Sequence, residues 1–365
     1  MTLAQSQTSG TAELVARLEP QFPAAGVWAD LLPRRPGATV FAGPLVQAAH
    51  VKAFAPSTPV RSLVLRQGGA LASIWPLWQR RLAIGGLTVR ELGFARDAHS
   101  LRNNLLLPGD AAGQSLACLL RACRDLRGWD TLAFDNLPEM AVPLLPEAAA
   151  ACGIPCDPPR PGRLLLWADM TDGQEAYLAS RSGQFRRQLR KRQREFALLG
   201  RSAIRVLHGD EITAALPEWK ALAARSWQGE NPEAAGLTAL DWAFHQALVQ
   251  NGRLWLLELD ARPVACLRML EDHDTAYVHT MHFDPALADH APGVVLFAAM
   301  MEDAAQRGLR RVDFNGNTPF FARWATGATA HQNWRLYRPG LAGQAIRLAR
   351  AGVARLRQGA AGKAE

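Results

Sequence analysis

Residues 276–324 read AYVHTMHFDPALADHAPGVVLFAAMMEDAAQRGLRRVDFNGNTPFFARW. The aromatic and β-branched run from Ala276 to Phe283 predicts a strand. Pro292 and Gly293 then open an apolar-periodic stretch. It predicts a helix, because proline's fixed φ suits the first helical position. A second short strand follows at VDFN, residues 312–315. In such a strand–turn–helix–strand unit the helix start is aimed at whatever binds beside the first strand. Its unbonded N–H groups and the helix dipole make an anion site, of the kind that can hold a coenzyme pyrophosphate.

Upstream, residues 253–284 predict consecutive antiparallel strands with turns at Asp260-Ala261 and Asp272-His273-Asp274. EITAALPEWKALAARSW (211–227) and LTALDWAFHQALVQNG (237–252) predict helices, SAIRVLHG (202–209) a strand, and residues 174–200 one long helical region ending at Gly200. Before these, a proline-rich bend, IPCDPPRPGR (154–163), leads into the strand LLLWADM. A lobe boundary is expected near Ala168. The first half has the same order of pieces. ATVFAGPLVQAAHVKAF (38–54) predicts a short strand entering a helix. Residues 60–82 predict a hairpin turning at Gly68-Gly69. GQSLACLLRACRDLRGW (113–129) predicts an amphipathic helix, and WDTLAFDNLP (129–138) a strand. The expected architecture is α+β. Two tandem lobes, residues 25–167 and 168–338, each hold a mixed, mostly antiparallel sheet flanked by helices. A flexible lead-in, residues 1–24, precedes them, and a basic amphipathic tail, residues 339–365, follows.

Composition bounds the function. The 365 residues are 48% hydrophobic and 20% charged, a globular balance. No apolar run approaches the ~20 residues that span a bilayer. The N-terminus lacks the basic start and apolar core of a secretory leader. Five cysteines without a CxxC pair predict free, buried thiols and a reducing, cytoplasmic setting. Eleven tryptophans against three tyrosines read as core, with Trp167, Trp255 and Trp334 in strand-like patterns. The net charge of +8 is local: residues 181–195 carry +6 and residues 339–365 carry +4, leaving −2 for the rest. That distribution argues against a DNA-binding surface. GxSxG, GxxxxGK[ST], HExxH and GxGxxG are all absent, and the Cys/His spacing implies no metal.

The candidate site residues follow from position. Pro292, Gly293, Val294 and Val295 form the helix start that would meet a pyrophosphate. His279 and His282 lie on the strand before it. Alternation puts them on opposite faces, so both line one cleft only if a bulge intervenes. Asp313 ends the next strand and is the first choice of general base. Asn315, Asn317, Arg323 and Trp324 follow as a polar and aromatic acceptor wall. In the basic helix, Arg186, Arg190 and Arg194 share one row and Arg187 and Lys191 a second. Phe185, Leu189, Phe196 and Leu199 form the apolar stripe. Guanidiniums suit an anionic substrate or coenzyme phosphates; the alternative is a solvated helix face. The tail suits peripheral contact with a membrane or protein, or simple solvation.

The arginine-rich helix, the strand ending in Asp284-Pro285, the helix running into RGLRRVDFNG and the Arg323-Trp324 pair together resemble the GNAT acyltransferase superfamily. More narrowly, they resemble its two-lobed bacterial branch of cellulose-biosynthesis-type acetyltransferases and the related Fem-type aminoacyltransferases. The resemblance covers residues 25–338 and is strongest over 176–338. It implies an acyl-CoA co-substrate, acetyl-CoA first among donors. The implied acceptor is an amine or hydroxyl on a small molecule or glycan precursor of envelope or exopolysaccharide synthesis. Two departures are visible. The Gln/Arg-x-x-Gly-x-Gly/Ala phosphate loop of the family is here His290 to Val295 with one glycine. Phe320 and Phe321 stand where the branch has a Tyr-Lys pair. Aminoacyl-tRNA-dependent transfer and a non-catalytic scaffold are the competing expectations.

Overall fold

A computed structural model describes residues 5–9, 11–19, 21–54, 61–139 and 143–361. The chain divides into two compact units. Met1–Val51, Ala55–Arg163 and Ala330–Glu365 form the first, and Lys52–Phe54 with Leu164–Thr329 the second. In chain order the early elements are β1 (Gln5–Ser9), β2 (Thr11–Glu19), α1 (Ala25–Ala29), α2 (Pro44–Phe54), β3 (Arg61–Gln67), β4 (Ala70–Ile84), β5 (Leu87–Gly93), α3 (Ala112–Asp125), β6 (Thr131–Pro138) and α4 (Leu144–Ala151). Next come β7 (Arg160–Asp169), α5 (Gly173–Ser180), α6 (Gly183–Ala197), β8 (Ser202–Leu207), α7 (Asp210–Arg225), α8 (Pro232–Ala235), α9 (Ala239–Ala247) and β9 (Arg253–Leu259). The last are β10 (Arg262–Asp272), β11 (Thr275–Phe283), α10 (Pro292–Gln306), β12 (Arg311–Asp313), α11 (Pro319–Ala322), β13 (Gly327–Tyr337) and α12 (Leu341–Ala361).

One plan serves both units. In the second, β8 to β11 form an antiparallel meander. α10 crosses over, and β12 returns parallel to β11 through Thr275–Tyr277 against Arg311–Asp313. β7 closes the sheet antiparallel to β12. In the first, β1 to β5 form the meander. α3 crosses over, β6 lies parallel to β5 through Glu91–Gly93 against Thr131–Ala133, and β13 closes antiparallel to β6. A parallel pair needs such a crossover, which is why a helix stands between its strands in each unit. Mixed sheets flanked by helices are thus the observed class, as expected.

Several boundaries move. The lead-in is no free tail over residues 11–19, because β2 pairs with β3 from Leu14↔Gln67 to Glu19↔Ser62. The short strand expected at residue 38 is a 3₁₀ turn, Val40–Ala42, before α2. The single basic helical region is two helices, split where Ser182 caps α6 by accepting from Phe185 N–H at 3.1 Å. The basic tail forms α12. It belongs with the first unit, as do residues 330–338, which the sequence reading grouped with the second lobe.

The two units treat the gap beyond their parallel strands differently. In the first, the chain itself fills it. Asn103 N–H donates to the Asn136 carbonyl at 3.0 Å and its side chain to the Asp135 carbonyl at 2.8 Å. Leu105 and Leu107 join Trp75, Phe94 and Phe134 in one core. In the second unit the corresponding gap is open.

Candidate functional site

Past Tyr277 and Asp313 the β11–β12 ladder stops. Phe314 N–H donates instead to the Leu166 carbonyl at 2.9 Å, and the Gly316 carbonyl accepts from Leu166 N–H at 3.0 Å, so this segment follows β7. β11 carries on beside β10 alone. Its register against β10 shifts between Arg268↔Thr280 and Met269↔Val278, which leaves His279 as an extra, bulged residue. A bulge re-aims side chains. Here Val278, His279, Thr280, Met281 and Phe283 all line one cavity of about 860 Å³ between the parted strands. Alternation alone would have sent half of them to the other face.

The α10 start and Ala291 form another wall, with Phe314, Asn315, Thr318, Phe320 and Phe321 opposite. Trp227, Gln228, Glu230 and Asn231 line the mouth, where Trp227 is 60% exposed. The walls are chiefly apolar and aromatic, with a few convergent polar groups, as in sites for small ligands. Among the described residues no lysine or arginine lines the cavity, and Glu230 is its one acidic residue. Ala291 and Asn315 both adopt left-handed backbone (φ 52° and 55°), which bends the chain at opposite walls.

At the helix start, the Val294 and Val295 N–H groups donate to the Ala291 carbonyl at 3.0 and 3.3 Å. Pro292 has no N–H. Gly293 N–H makes no bond among the described residues, so one donor, not three, faces an anion. A Cβ on Gly293 would lie 3.7 Å from Met281 Cε and 3.8 Å from Phe283 Cδ1, ordinary contact. Glycine is therefore not sterically required there.

Thr280 is held from behind. His282 is buried, and burial lowers its pKa from 6.5 to about 4, so the ring is neutral near neutral pH. Its Nε2 lies 2.7 Å from Thr280 Oγ1 and its Nδ1 3.4 Å from Ser226 Oγ. Ser226 already donates to the Ala223 carbonyl at 2.6 Å. The tautomer follows: Nδ1–H donates to Ser226, and Nε2 accepts from the Thr280 hydroxyl. Thr280 Oγ1 is left as an acceptor at the cavity wall.

Of the residues singled out from sequence, the cavity gathers His279, Pro292, Gly293, Val294 and Asn315. Asp313 is not among its lining residues. Its fully buried carboxylate accepts from Arg311 at 3.1 Å and from Asn315 N–H at 2.9 Å, which ties the end of β12 together. His282 stands behind Thr280. Val295 packs against the core. Trp324 is buried against Phe185 and Phe297, its carbonyl accepting from the Tyr177 hydroxyl at 2.7 Å. Arg323 lies over the Phe320 ring on the exposed side, and Asn317 is exposed. Leu189 and Phe196 bury the inner face of α6, while Arg187 and Arg190 point to solvent and Arg186 is half-buried away from the cavity. Sequence reasoning missed Thr280, Gln228 and Glu230. The last two sit in a 3₁₀ turn, Trp227–Glu230, that carries no motif. Gln228 reaches the site by donating to the Met281 carbonyl at 2.9 Å.

Residues 183–334 match the family model described as an acetyltransferase (GNAT) domain. The chain carries a GNAT domain. No curated protein matches by sequence. Among solved structures, FemX aligns with 90% of this chain and 99% of its own at 11% identity, with a TM-score of 0.64. The C-terminal domain of a candidate lysylphosphatidylglycerol synthetase from Agrobacterium fabrum aligns over 90% and 95% at 13% identity, TM-score 0.55. L-PGS from Bacillus licheniformis aligns over 85% and 96% at 13% identity, TM-score 0.50. These likenesses are of fold. The parted strands, the bulge and the α10 start all fall within the GNAT domain.

Proposed function

We propose that the GNAT domain transfers an acyl group from acyl-CoA to an amine or hydroxyl, on a small molecule or an envelope or exopolysaccharide precursor. The observation that carries this reading is the open wedge between β11 and β12, bulged at His279 and floored by the α10 start. The apolar walls suit a thioester arm, and Gly293 N–H suits one phosphate oxygen. The acceptor's N–H or O–H would lose its proton to His279, the ring at the bulge, and a second N–H of an amine acceptor would donate to Thr280 Oγ1. The acceptor atom would attack the thioester carbon directly, and the CoA sulfur would leave. No covalent enzyme intermediate is needed. The first unit, its gap filled by residues 103–107, reads as a degenerate GNAT-like lobe.

Calorimetric titration with acetyl-CoA and a longer acyl-CoA tests this. Gly293→Ala is expected to bind like the parent, because its Cβ meets only ordinary contacts. Gly293→Glu places a carboxylate between Met281 and Phe283 and is expected to weaken binding at least tenfold. If neither thioester binds the parent protein, the acyl-CoA reading fails.

A second reading is favoured by one observation: among the described residues no lysine or arginine lines the cavity to grip a diphosphate. An aminoacyl-tRNA, as for a Fem-type transferase, would send only its aminoacyl end into the wedge. The exposed Arg187, Arg190, Lys191 and Arg194 of α6 would then meet RNA phosphates. Under that reading, binding falls steeply with salt; a flat salt response rejects it.

A further inference from the structure

In the first unit, arginines gather around a carboxylate. Glu91, on β5, is fully buried. Four guanidiniums approach it: Arg350 from α12 at 3.1 Å, Arg80 from β4 and Arg335 from β13 at 3.6 Å, and Arg96 at 3.8 Å. Asp135 pairs with Arg335 at 2.7 Å and Arg96 at 3.7 Å, and Asp157 with Arg347 at 2.7 Å. Arg160, exposed at the start of β7, makes no ion pair among the described residues. Six guanidiniums thus meet three carboxylates, an excess of three positive charges. Four of the six, Arg96, Arg160, Arg335 and Arg350, wall a cavity of about 760 Å³ that Asp135 and Asp157 also line, with Ile84 and Val353 on its apolar side.

This exceeds what fastening α12 to the sheet requires. The Arg350–Glu91 and Arg347–Asp157 pairs would do that, and neither Arg96 nor Arg160 touches the helix in any ion pair. Partly dry guanidiniums repel one another unless an anion joins them. Their planar forks match phosphate oxygens two at a time.

We infer that this cavity binds the phosphate group of a phosphate ester, at a site separate from the GNAT-domain wedge and independent of its proposed reaction. Arg96 and Arg160 supply the cationic rim, and Arg335 and Arg350 the inner wall held by Glu91. Two sources share the recognised chemistry, a soluble nucleotide or sugar phosphate and a phospholipid headgroup.

The full-length protein is titrated with inorganic pyrophosphate in 0.15 M NaCl, by calorimetry and by thermal shift. Saturable one-site binding is expected. Arg96→Gln and Arg160→Gln should each weaken it about tenfold. Both leave the unliganded melting temperature within about 2 °C of the parent, since both side chains are exposed, Arg96 is paired only at 3.7 and 3.8 Å, and Arg160 makes no ion pair among the described residues. Absence of saturable binding, or binding unchanged in both variants, overturns the inference. Co-sedimentation with phosphatidylglycerol and phosphatidylcholine vesicles separates the sources. Capture by the former that pyrophosphate displaces and Arg160→Gln weakens identifies a lipid headgroup. Pyrophosphate binding without vesicle capture identifies a soluble ester.

Discussion

His282 keeps its proton off because the surrounding core solvates a charged ring badly. Its pKa is about 4 in the fold and about 6.5 unfolded. As pH falls through that window the unfolded chain takes up the proton first. The stability tied to the neutral ring is therefore whole above pH 6.5 and lost towards pH 4, about 3 kcal/mol in all. Urea unfolding at pH 7.0, 5.5 and 4.5 should show His282→Gln losing correspondingly less than the parent; parallel losses would contradict the assigned burial effect. Thr280→Val should cost about 1–2 kcal/mol by leaving Nε2 unpaired, and Thr280→Ser should restore it. At this scale the sequence was legible where backbone chemistry speaks locally, as at Pro292-Gly293. It misled at Asp313 and Trp324, because a buried ion pair and a packed indole have the same spelling as a base and an acceptor wall. Thr280 was hidden because its aim depends on the bulge beside it.

Among the elements, β10 explains why β11 can bulge. Arg268 stands opposite the displaced residue, is 1% exposed, and donates to the carbonyls of Leu248 at 2.7 Å, Asn251 at 2.5 Å, Arg253 at 3.0 Å and Met269. Burial lowers its pKa to about 9, which still leaves it charged at neutral pH. One side chain so binds the end of α9, the following turn and the edge of β9. Arg268→Met should destabilise by about 3–5 kcal/mol, because several buried carbonyls lose a charged donor at once. Chemical denaturation measures this, and a loss under 1 kcal/mol would refute the clamp. Gly252 completes the same corner: with φ of 72°, any Cβ there would sit 2.1 Å from the Met269 carbonyl oxygen. The meander, the Gly68-Gly69 hairpin and the α10 crossover were readable because turns and periodicity are local signals. The split at Ser182 was masked by a helical pattern that runs through the break. β2 was missed because its polar alternation has meaning only beside β3.

Over the whole molecule, the second unit is drawn almost entirely from one stretch, Leu164–Thr329, whereas the first is closed by Ala330–Glu365. Removing residues 339–365 should therefore injure the first unit selectively. It uncovers Val89 and Tyr337, which pack on Ile346, and strips Arg350 from buried Glu91. A loss of about 2–4 kcal/mol is expected in the first unit's unfolding transition, with the wedge's ligand binding retained. A single, unshifted transition would count against this division. The shared plan of the two halves was legible as an order of pieces; the exchange of β13 was not, since a strand's sequence does not name its partner. That exchange has a consequence for how the chain is made. β6 meets β13 only after about two hundred intervening residues have been translated, from Pro138 paired with His331 to Thr131 paired with Tyr337. At ribosomal speeds of about 5–20 residues per second, the N-terminal segment waits on the order of 10–40 s with a sheet edge unpaired. During that interval the nascent chain, and not the finished protein, is the species that holdase chaperones would meet.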